Sequence, residues 1–316
     1  MPVVSRVVLA VVLFLTLLVG TVAGAAPRVR VVPHTPGLAA RADALGRSTP
    51  RILERIARDL DGLPVPDTVE IRLVMDASEL ASVAPPGRGA PAYADAVAWP
   101  GTSIVAVAIR GRQGALVDLD RVLAHELAHL ALDHALGSER VPRWLTEGFA
   151  SLQAPELSFE RAWTVFTALL GGKLVPIWEL DATFPAREDE VHLAYAQAYD
   201  FVGFLARRGR HPDETPVERR WAFQKFLSEI GHGAALDDAA KTAWAKSLAE
   251  LQAEWVTGLR ERYFWMPIGL VGTAVWAGAG LLLTLGWLRR RRQMRAALAA
   301  WDLAEAREAA EITLLN

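Results

Sequence analysis

Residues 125–129 read His-Glu-Leu-Ala-His, and this stretch decides how the surrounding chain folds. From Val122 to Leu136 apolar residues recur every three or four positions, which predicts a helix with one apolar face. Two histidines four residues apart lie on the same face of such a helix, so both imidazoles can bind one metal ion. Glu126 projects beside that face, where its carboxylate can accept a proton from a metal-bound water.

The sequence Trp-Leu-Thr-Glu-Gly at residues 144–148 supplies the carboxylate that such a site needs. Pro142 favours the start of a new helix, and a glutamate buried on an apolar helix is costly unless it is paired or bound to a metal. A catalytic zinc takes three protein ligands and keeps one position open. Glu147 is therefore the natural third ligand, and the complete set is that of a zinc-dependent peptidase. The alternative is an ordinary helix whose histidines are solvated.

Three segments together resemble the bacterial peptidase MA-like group of gluzincin metallopeptidases. They are HELAHLAL at 125–132, VPRWLTEGFAS at 141–151 and LAYAQAYDFVGFL at 193–205. The resemblance covers approximately residues 65–260. It implies an α+β, thermolysin-like catalytic domain in which a small mixed β-sheet is followed by a helical lobe.

The resemblance also implies roles for individual residues. Glu126 would be the general base, and Zn²⁺ would be held by His125, His129 and Glu147. Thermolysin has an aspartate four residues after its third ligand, where it orients a histidine, whereas this chain has Ser151. The residues that orient the ligands are therefore left unassigned.

Tyr195 and Tyr199 fall on a helix that is predicted to start near Val191. In gluzincins a phenol often donates a hydrogen bond to the oxyanion formed during peptide hydrolysis. The family pattern places Tyr195 nearest to that catalytic role. A tyrosine in the apolar stripe of a helix also packs well in a core, so the sequence leaves both roles open for the two side chains.

The strands of the domain are predicted upstream of this helical region. Residues 27–37 are rich in proline and are interpreted as a leader into the fold. A helix is predicted over Leu38–Leu60, with an interruption near Pro50. The leader and this helix together are interpreted as a helical lead-in over 26–64. Alternating apolar residues predict a strand over Thr68–Met75.

Two further strands are predicted around a turn at Pro100-Gly101. They cover Tyr93–Trp99 and Thr102–Ile109. Thr102–Ile109 is the candidate for an edge strand that holds an extended substrate by backbone hydrogen bonds. An ordinary buried strand is the alternative for that segment.

The N-terminus has the pattern of a secretory signal over residues 1–25. Arg6 precedes an apolar run from Val7 to Val19, and small residues follow, with Ala23-Gly24-Ala25 as the expected cleavage site. An uncleaved membrane anchor is the alternative, because the apolar segment just reaches spanning length.

A second apolar segment, residues 264–288, is predicted to be a transmembrane helix. The chain carries no charged residue between Arg262 and Arg289, and aromatic residues flank this segment at both ends. Four consecutive arginines at 289–292 then place the tail, 289–316, in the cytoplasm by the positive-inside rule. The domain before the span would lie outside a bacterial cell membrane. The tail itself is predicted to be a helix, either on the inner leaflet or in solvent.

Composition narrows the remaining function classes. The chain of 316 residues has no cysteine, which excludes disulfides and thiolate ligands. No basic cluster lies outside the tail, so nucleic acid is not an expected partner, and the oligomeric state is left open. Arginine greatly outnumbers lysine in a chain rich in alanine and glycine, a composition typical of a GC-rich bacterium.

The leading hypothesis is a membrane-anchored, exported zinc metallopeptidase that acts on peptides or proteins. The absence of a GxMEN-like amine-binding motif favours an endopeptidase. A catalytically silent zinc-binding module of the cell envelope is the alternative, although a structural zinc would not need Glu126. An intramembrane protease is excluded because the helix of the first motif carries four charged residues: Asp118, Asp120, Arg121 and Asp133.

Overall fold

Four strands form one mixed sheet in the computed structural model, which describes residues 27–314 apart from residues 61, 138–140, 155–158, 181–187, 212 and 265. The strands pair in the order β1-β2-β4-β3, with β1, β2 and β4 parallel and β3 antiparallel to β4. Their bounds are Arg28–Pro33 for β1, Thr68–Asp76 for β2, Ala96–Ala98 for β3 and Ile104–Arg110 for β4. The small mixed sheet expected from the sequence is confirmed.

The order of the strands follows from their apolar content. β2 and β4 hold the centre of the sheet, and Ile71, Leu73, Val105 and Val107 are fully buried there. A nearly continuous apolar run such as that of β4 is typical of a strand that is covered on both faces. The prediction that Thr102–Ile109 forms the edge is therefore wrong, and the edge next to β4 is β3.

The segment before the first helix differs from the leader that its prolines predict. Residues 28–33 form β1, which pairs in parallel with β2 in the register Arg28↔Thr68. The helix that follows, α1, runs without interruption over Ala39–Asp59 with Pro50 inside it. It packs against β1, and the burial of Leu45, Leu53 and Ile56 outweighs the local cost of the proline.

The helical region of the chain begins after β4. Asp118 caps its first helix by accepting a hydrogen bond from the backbone N–H of Arg121, at 3.2 Å. Gly137, with a φ of 75°, ends that helix. The helices are α2 (Leu119–Leu136), α3 (Arg143–Gln153), α4 (Phe159–Leu170), α5 (Glu188–Arg207), α6 (Pro216–Gly231), α7 (Leu236–Trp244), α8 (Leu248–Phe264) and α9 (Met266–Leu314).

The packing of α3 against α5 depends on a glycine. A Cβ at Gly148 would lie 2.4 Å from Val202 Cγ2 and 2.5 Å from the backbone oxygen of Ala198. The same pair of helices shares an aromatic contact, since the ring centroids of Trp144 and Phe201 are 5.5 Å apart. This close approach fixes α5 beside the residue that precedes Gly148 in the chain, Glu147.

The chain divides into two units, Met1–Trp255 and Val256–Asn316. The second unit contains α9, in which the described side chains from Val275 to Leu298 are mostly exposed. Among the helices that the structure describes, none combines the length and the apolar character needed to cross a membrane. The span at 264–288 therefore stays a prediction, and the predicted signal segment lies outside the described residues.

Candidate metal centre

The two histidines of the first motif face each other on α2. His125 Nε2 and His129 Nε2 are 3.1 Å apart, and their rings meet edge to face, with an interplanar angle of 83°. The four-residue spacing on a regular helix produces this arrangement, as expected from the sequence. Leu127, Ala128 and Leu130 are buried around the rest of the helix and hold it in place.

Glu147 completes the set from α3. Its Oε2 lies 3.7 Å from His125 Nε2 and 3.4 Å from His129 Nε2. In a tetrahedral zinc site with bonds of about 2.0–2.2 Å, neighbouring ligand atoms are about 3.3–3.6 Å apart. The three distances of 3.1–3.7 Å fit that geometry, so two imidazoles and one carboxylate are placed to hold a metal ion.

The protonation of these groups follows from their mutual contacts. Burial opposes the ionisation of Glu147, but hydrogen bonds from His125 and His129 hold the pKa of that carboxyl well below its usual range. Burial lowers the pKa of His129, yet the hydrogen bond and charge of Glu147, with the charge of Glu126, raise it above its ordinary value. Glu147 is thus ionised beside the two imidazoles, and a carboxylate in that state suits a cation.

Glu126 joins the centre to the edge of the sheet. Its Oε2 accepts a hydrogen bond of 2.7 Å from the backbone N–H of Ala98 in β3. One carboxylate oxygen is therefore fixed by the strand, and the side chain lines the same cavity as the three ligands. This places the predicted general base next to the three residues that could hold a metal ion.

Tyr195 and Arg143 line the same cavity as the two histidines and Glu147. Arg143 lies one helical turn before Glu147, with its Nε 3.6 Å from Glu147 Oε1, and it hydrogen-bonds the hydroxyl of Tyr195. Burial and the charge of Glu147 raise the pKa of Tyr195, so its phenol stays protonated as a hydrogen-bond donor. The sequence-based prediction misses Arg143, although its four-residue spacing from Glu147 is a visible signal.

Other residues considered from the sequence lie elsewhere. His134 and His192 are exposed, as a solvated histidine would be. Tyr199 stacks under the guanidinium of Arg161, which is 5.3 Å from the ring centroid. Ser151 is buried and lines the cavity one turn after Glu147.

A cleft passes over the metal-binding residues and consists of two adjoining cavities. The larger cavity has a volume of about 450 Å³, and the smaller cavity has a volume of about 390 Å³. Both are bordered by the same four residues, namely Ala98, His129, Arg143 and Glu147. His129 and Glu147 therefore lie between two spaces rather than at the bottom of a single pocket.

The site combines a His-Glu-x-x-His helix with a glutamate from the next helix, beside a mixed sheet that has an antiparallel edge strand. This combination defines a metallopeptidase-like domain. The family model of the Peptidase MA superfamily matches residues 89–261, which is more than half of the chain, and the chain belongs to that superfamily. This confirms the family expected from the motifs. No curated protein matches the chain.

Proposed function

We propose that this chain is a zinc metallopeptidase that hydrolyses peptide bonds within longer chains. The observation that carries the proposal is the convergence of His125, His129 and Glu147, with Glu126 beside them, in a cleft that is bordered by an edge strand. The superfamily is typically zinc-dependent, and the donor set and spacing fit that ion.

Zinc would be held by the two imidazoles and the Glu147 carboxylate, where it would supply a Lewis acid for the scissile carbonyl and lower the pKa of a water. Glu126 takes the proton of the attacking water and passes it to the leaving amine. The hydrogen bond from Ala98 N–H fixes one oxygen of Glu126 and leaves the other for the proton.

Tyr195 and Arg143 act on the negative charge that develops on the carbonyl oxygen during hydrolysis. The Tyr195 hydroxyl stays protonated and can donate to the oxyanion, as the family pattern implies. Arg143 positions both this hydroxyl and the carboxylate of Glu147, because it contacts each of them.

The edge strand offers a way to hold an extended substrate. In β3 and the residues on either side of it, the backbone of Asp95, Val97 and Trp99 is directed toward β4, because Ala108 N donates to Asp95 O and Trp99 N donates to Ile104 O. Alternation then directs the backbone groups of Ala96 and Ala98 toward the open edge, where the Ala98 N–H donates to Glu126 and the groups of Ala96 and the carbonyl of Ala98 face the substrate. Space on both sides of the ligands supports an endopeptidase.

The decisive experiment compares Glu126→Gln with the wild type on a peptide library. The amide can still accept the hydrogen bond from Ala98 N–H, so we expect an unchanged fold and one bound zinc per chain, but a rate lower by about 10²–10⁴-fold. Equal rates would refute the mechanism. Zinc binding without turnover in either protein would instead support the silent envelope module.

The location of the domain is a separate proposal. We propose that residues 264–288 anchor it in a bacterial membrane, with the domain outside and the tail inside, because the segment lacks charge and four arginines follow it. Reporter fusions after residue 262 should behave as exported and fusions after residue 292 as cytoplasmic. Protease access to the tail from outside intact cells would contradict this topology.

A further inference from the structure

Two carboxylates of α2 bind the hairpin formed by β3 and β4. Glu126 Oε2 accepts a hydrogen bond of 2.7 Å from the backbone N–H of Ala98, and Asp133 Oδ2 accepts one of 2.7 Å from the backbone N–H of Gly101. The two carboxylates are seven residues apart, which is two helical turns, so they lie on the same face of α2. Glu126 is the proposed general base, whereas Asp133 has no part in the proposed mechanism of hydrolysis.

The turn between the two strands presents the N–H group that Asp133 binds. Pro100 and Gly101 are the central residues of this turn, in which Thr102 N donates to Trp99 O at 3.1 Å and Gly101 has a φ of 70°. These are the features of a type II turn, which takes proline and then glycine at its central positions. Such a turn uses the N–H of its fourth residue, so the N–H of its third residue is available to an acceptor outside the turn. Asp133 supplies that acceptor.

The edge strand has contacts on two sides. β3 consists of three residues at the edge of the sheet, so its backbone is paired with β4 on one side only. Val97 and Trp99 belong to a buried apolar cluster, and Trp99 Nε1 also donates to Gly89 O at 2.8 Å. These contacts hold the strand against the sheet, whereas Glu126 and Asp133 hold the hairpin against α2. The distance between the open edge and the face of α2 that carries the two histidines therefore depends on these two carboxylates.

Asp133 binds the hairpin at the point where the edge strand meets the smaller cavity. The residue lies one helical turn after His129, and it borders that cavity together with Pro100 and Ala98, the last residue of β3. A hydrogen bond from a backbone N–H to a carboxylate is roughly twice as strong as a bond between neutral groups. The bond from Gly101 therefore fixes the hairpin beside the space that a substrate would enter.

We propose that Asp133 is a positioning residue for peptide binding, which holds the turn and thereby keeps the open edge of β3 at the distance from α2 that an extended substrate needs. The inference rests on the proposed peptidase function. A peptide that pairs with the edge must also place its scissile bond beside His125 and His129. A displaced edge would allow only one of these two contacts. Asp133 acts through the backbone of the hairpin and does not touch the reacting atoms.

The first test compares Asp133→Ala with the wild type on a blocked hexapeptide, with both proteins as full-length chains loaded with Zn²⁺. We expect KM to rise about tenfold or more with a smaller change in kcat, because the ligands and Glu126 stay in place on their helices. Asp133→Asn keeps an oxygen that can accept from Gly101 N–H, so its KM should stay within about threefold of the wild type. A lower kcat at an unchanged KM in Asp133→Ala would contradict the positioning role.

Asp237→Ala is the matched control for the loss of a carboxylate that binds a backbone N–H. Asp237 of α7 accepts a hydrogen bond of 2.9 Å from Leu248 N–H, and in the described part of the chain it borders neither cavity of the cleft. The variant should therefore leave KM unchanged. An equal rise in KM for Asp237→Ala and Asp133→Ala would show a general effect on stability and would overturn the inference.

Peptides with an altered backbone test whether Asp133 acts through the edge strand. Each hexapeptide of a series carries one N-methyl group, which removes one backbone donor. We expect at least one methyl group to raise the KM of the wild type about tenfold, because that N–H donates to a carbonyl of the open edge. The same methyl group should raise the KM of Asp133→Ala by about threefold or less, because the pairing is already weakened. An increase of equal size in both proteins would contradict the inference.

Hydrogen exchange separates this inference from the proposed peptidase function, because it needs no substrate. The backbone amides of residues 96–99 should exchange about fivefold or more faster in zinc-loaded Asp133→Ala than in the wild type. Asp133→Asn and Asp237→Ala should exchange at the wild-type rate over the same residues. Faster exchange in Asp133→Ala supports its hold on β3 even if the wild type cleaves no peptide. Unchanged exchange over 96–99 overturns the inference, whatever the peptidase activity.

Discussion

The helix pair α2–α3 and the edge strand β3 border the same cleft but contribute to it in different ways. The helices present the side chains on which the proposed chemistry depends: two imidazoles and two carboxylates. The strand has only three residues, Ala-Val-Ala, and contributes through its backbone. Substitutions should therefore be severe on the helices and mild on the strand.

The largest effect is expected for His125→Ala or His129→Ala. Each removes one of three ligands, so stoichiometric zinc and all turnover should be lost, as measured by metal analysis of the purified protein. His134→Ala is the matched control on the same helix, because that histidine is exposed and should not affect zinc. Full zinc content in either histidine variant would show that the side chain is not a required ligand, and the contrast between the helices and the strand would fail.

A large effect on stability is expected for Gly148→Ala. The added Cβ would overlap Val202 and the backbone oxygen of Ala198, so α3 and α5 must separate, at a cost of about 1–3 kcal/mol in the free energy of unfolding. Gly46→Ala in α1 is the control, because its Cβ would meet Val31 at an ordinary 3.8 Å and should stabilise the helix by up to about 1 kcal/mol. Denaturant unfolding measures the free energy of unfolding of both variants. Equal changes in that free energy would show that the close approach of α3 and α5 does not restrict the residue at position 148.

A smaller effect is expected for Tyr195→Phe. Loss of an oxyanion donor should reduce kcat by about ten- to a thousandfold while zinc content stays the same. Tyr199→Phe keeps the ring that lies under Arg161 and should retain nearly full activity. A kcat for Tyr195→Phe equal to the wild type would assign that tyrosine to packing alone.

The smallest effect is expected on the strand, for Ala98→Ser. The substitution keeps the backbone N–H that binds Glu126, so we expect normal zinc content and a kcat/KM within about tenfold of the wild type. A loss comparable to that of Tyr195→Phe would show that the strand contributes through its side chains, and the contrast between the two regions would fail.

The same contrast explains what the sequence could and could not predict. The spacing of His125 and His129 and the apolar pattern around them are local, and a helix converts them directly into a shared face. The contact with Glu147 followed from the chemistry of zinc sites. The structure brings all three together as expected.

The strand region could not be predicted in the same way, because the order of strands in a sheet depends on contacts between distant segments. Thr102–Ile109 is predicted at the edge, but its continuous apolar run places it as the central strand β4. The Arg-Val-Arg-Val alternation of β1 is typical of a strand, but the nearby prolines favour the interpretation of this segment as an irregular leader. Arg143 is missed because an arginine four residues before a glutamate on a helix most often forms a solvated ion pair, so the spacing alone does not indicate a role in the site.

The glycine next to Glu147 has a consequence for how this site can evolve. One of the two atoms that exclude a Cβ at Gly148 belongs to the Val202 side chain, which a second mutation could shorten. The other is the carbonyl oxygen of Ala198, and every amino acid carries that atom. No compensating substitution at position 198 can therefore make room, and descendants of this chain that keep both helices in place should keep glycine at 148 as well.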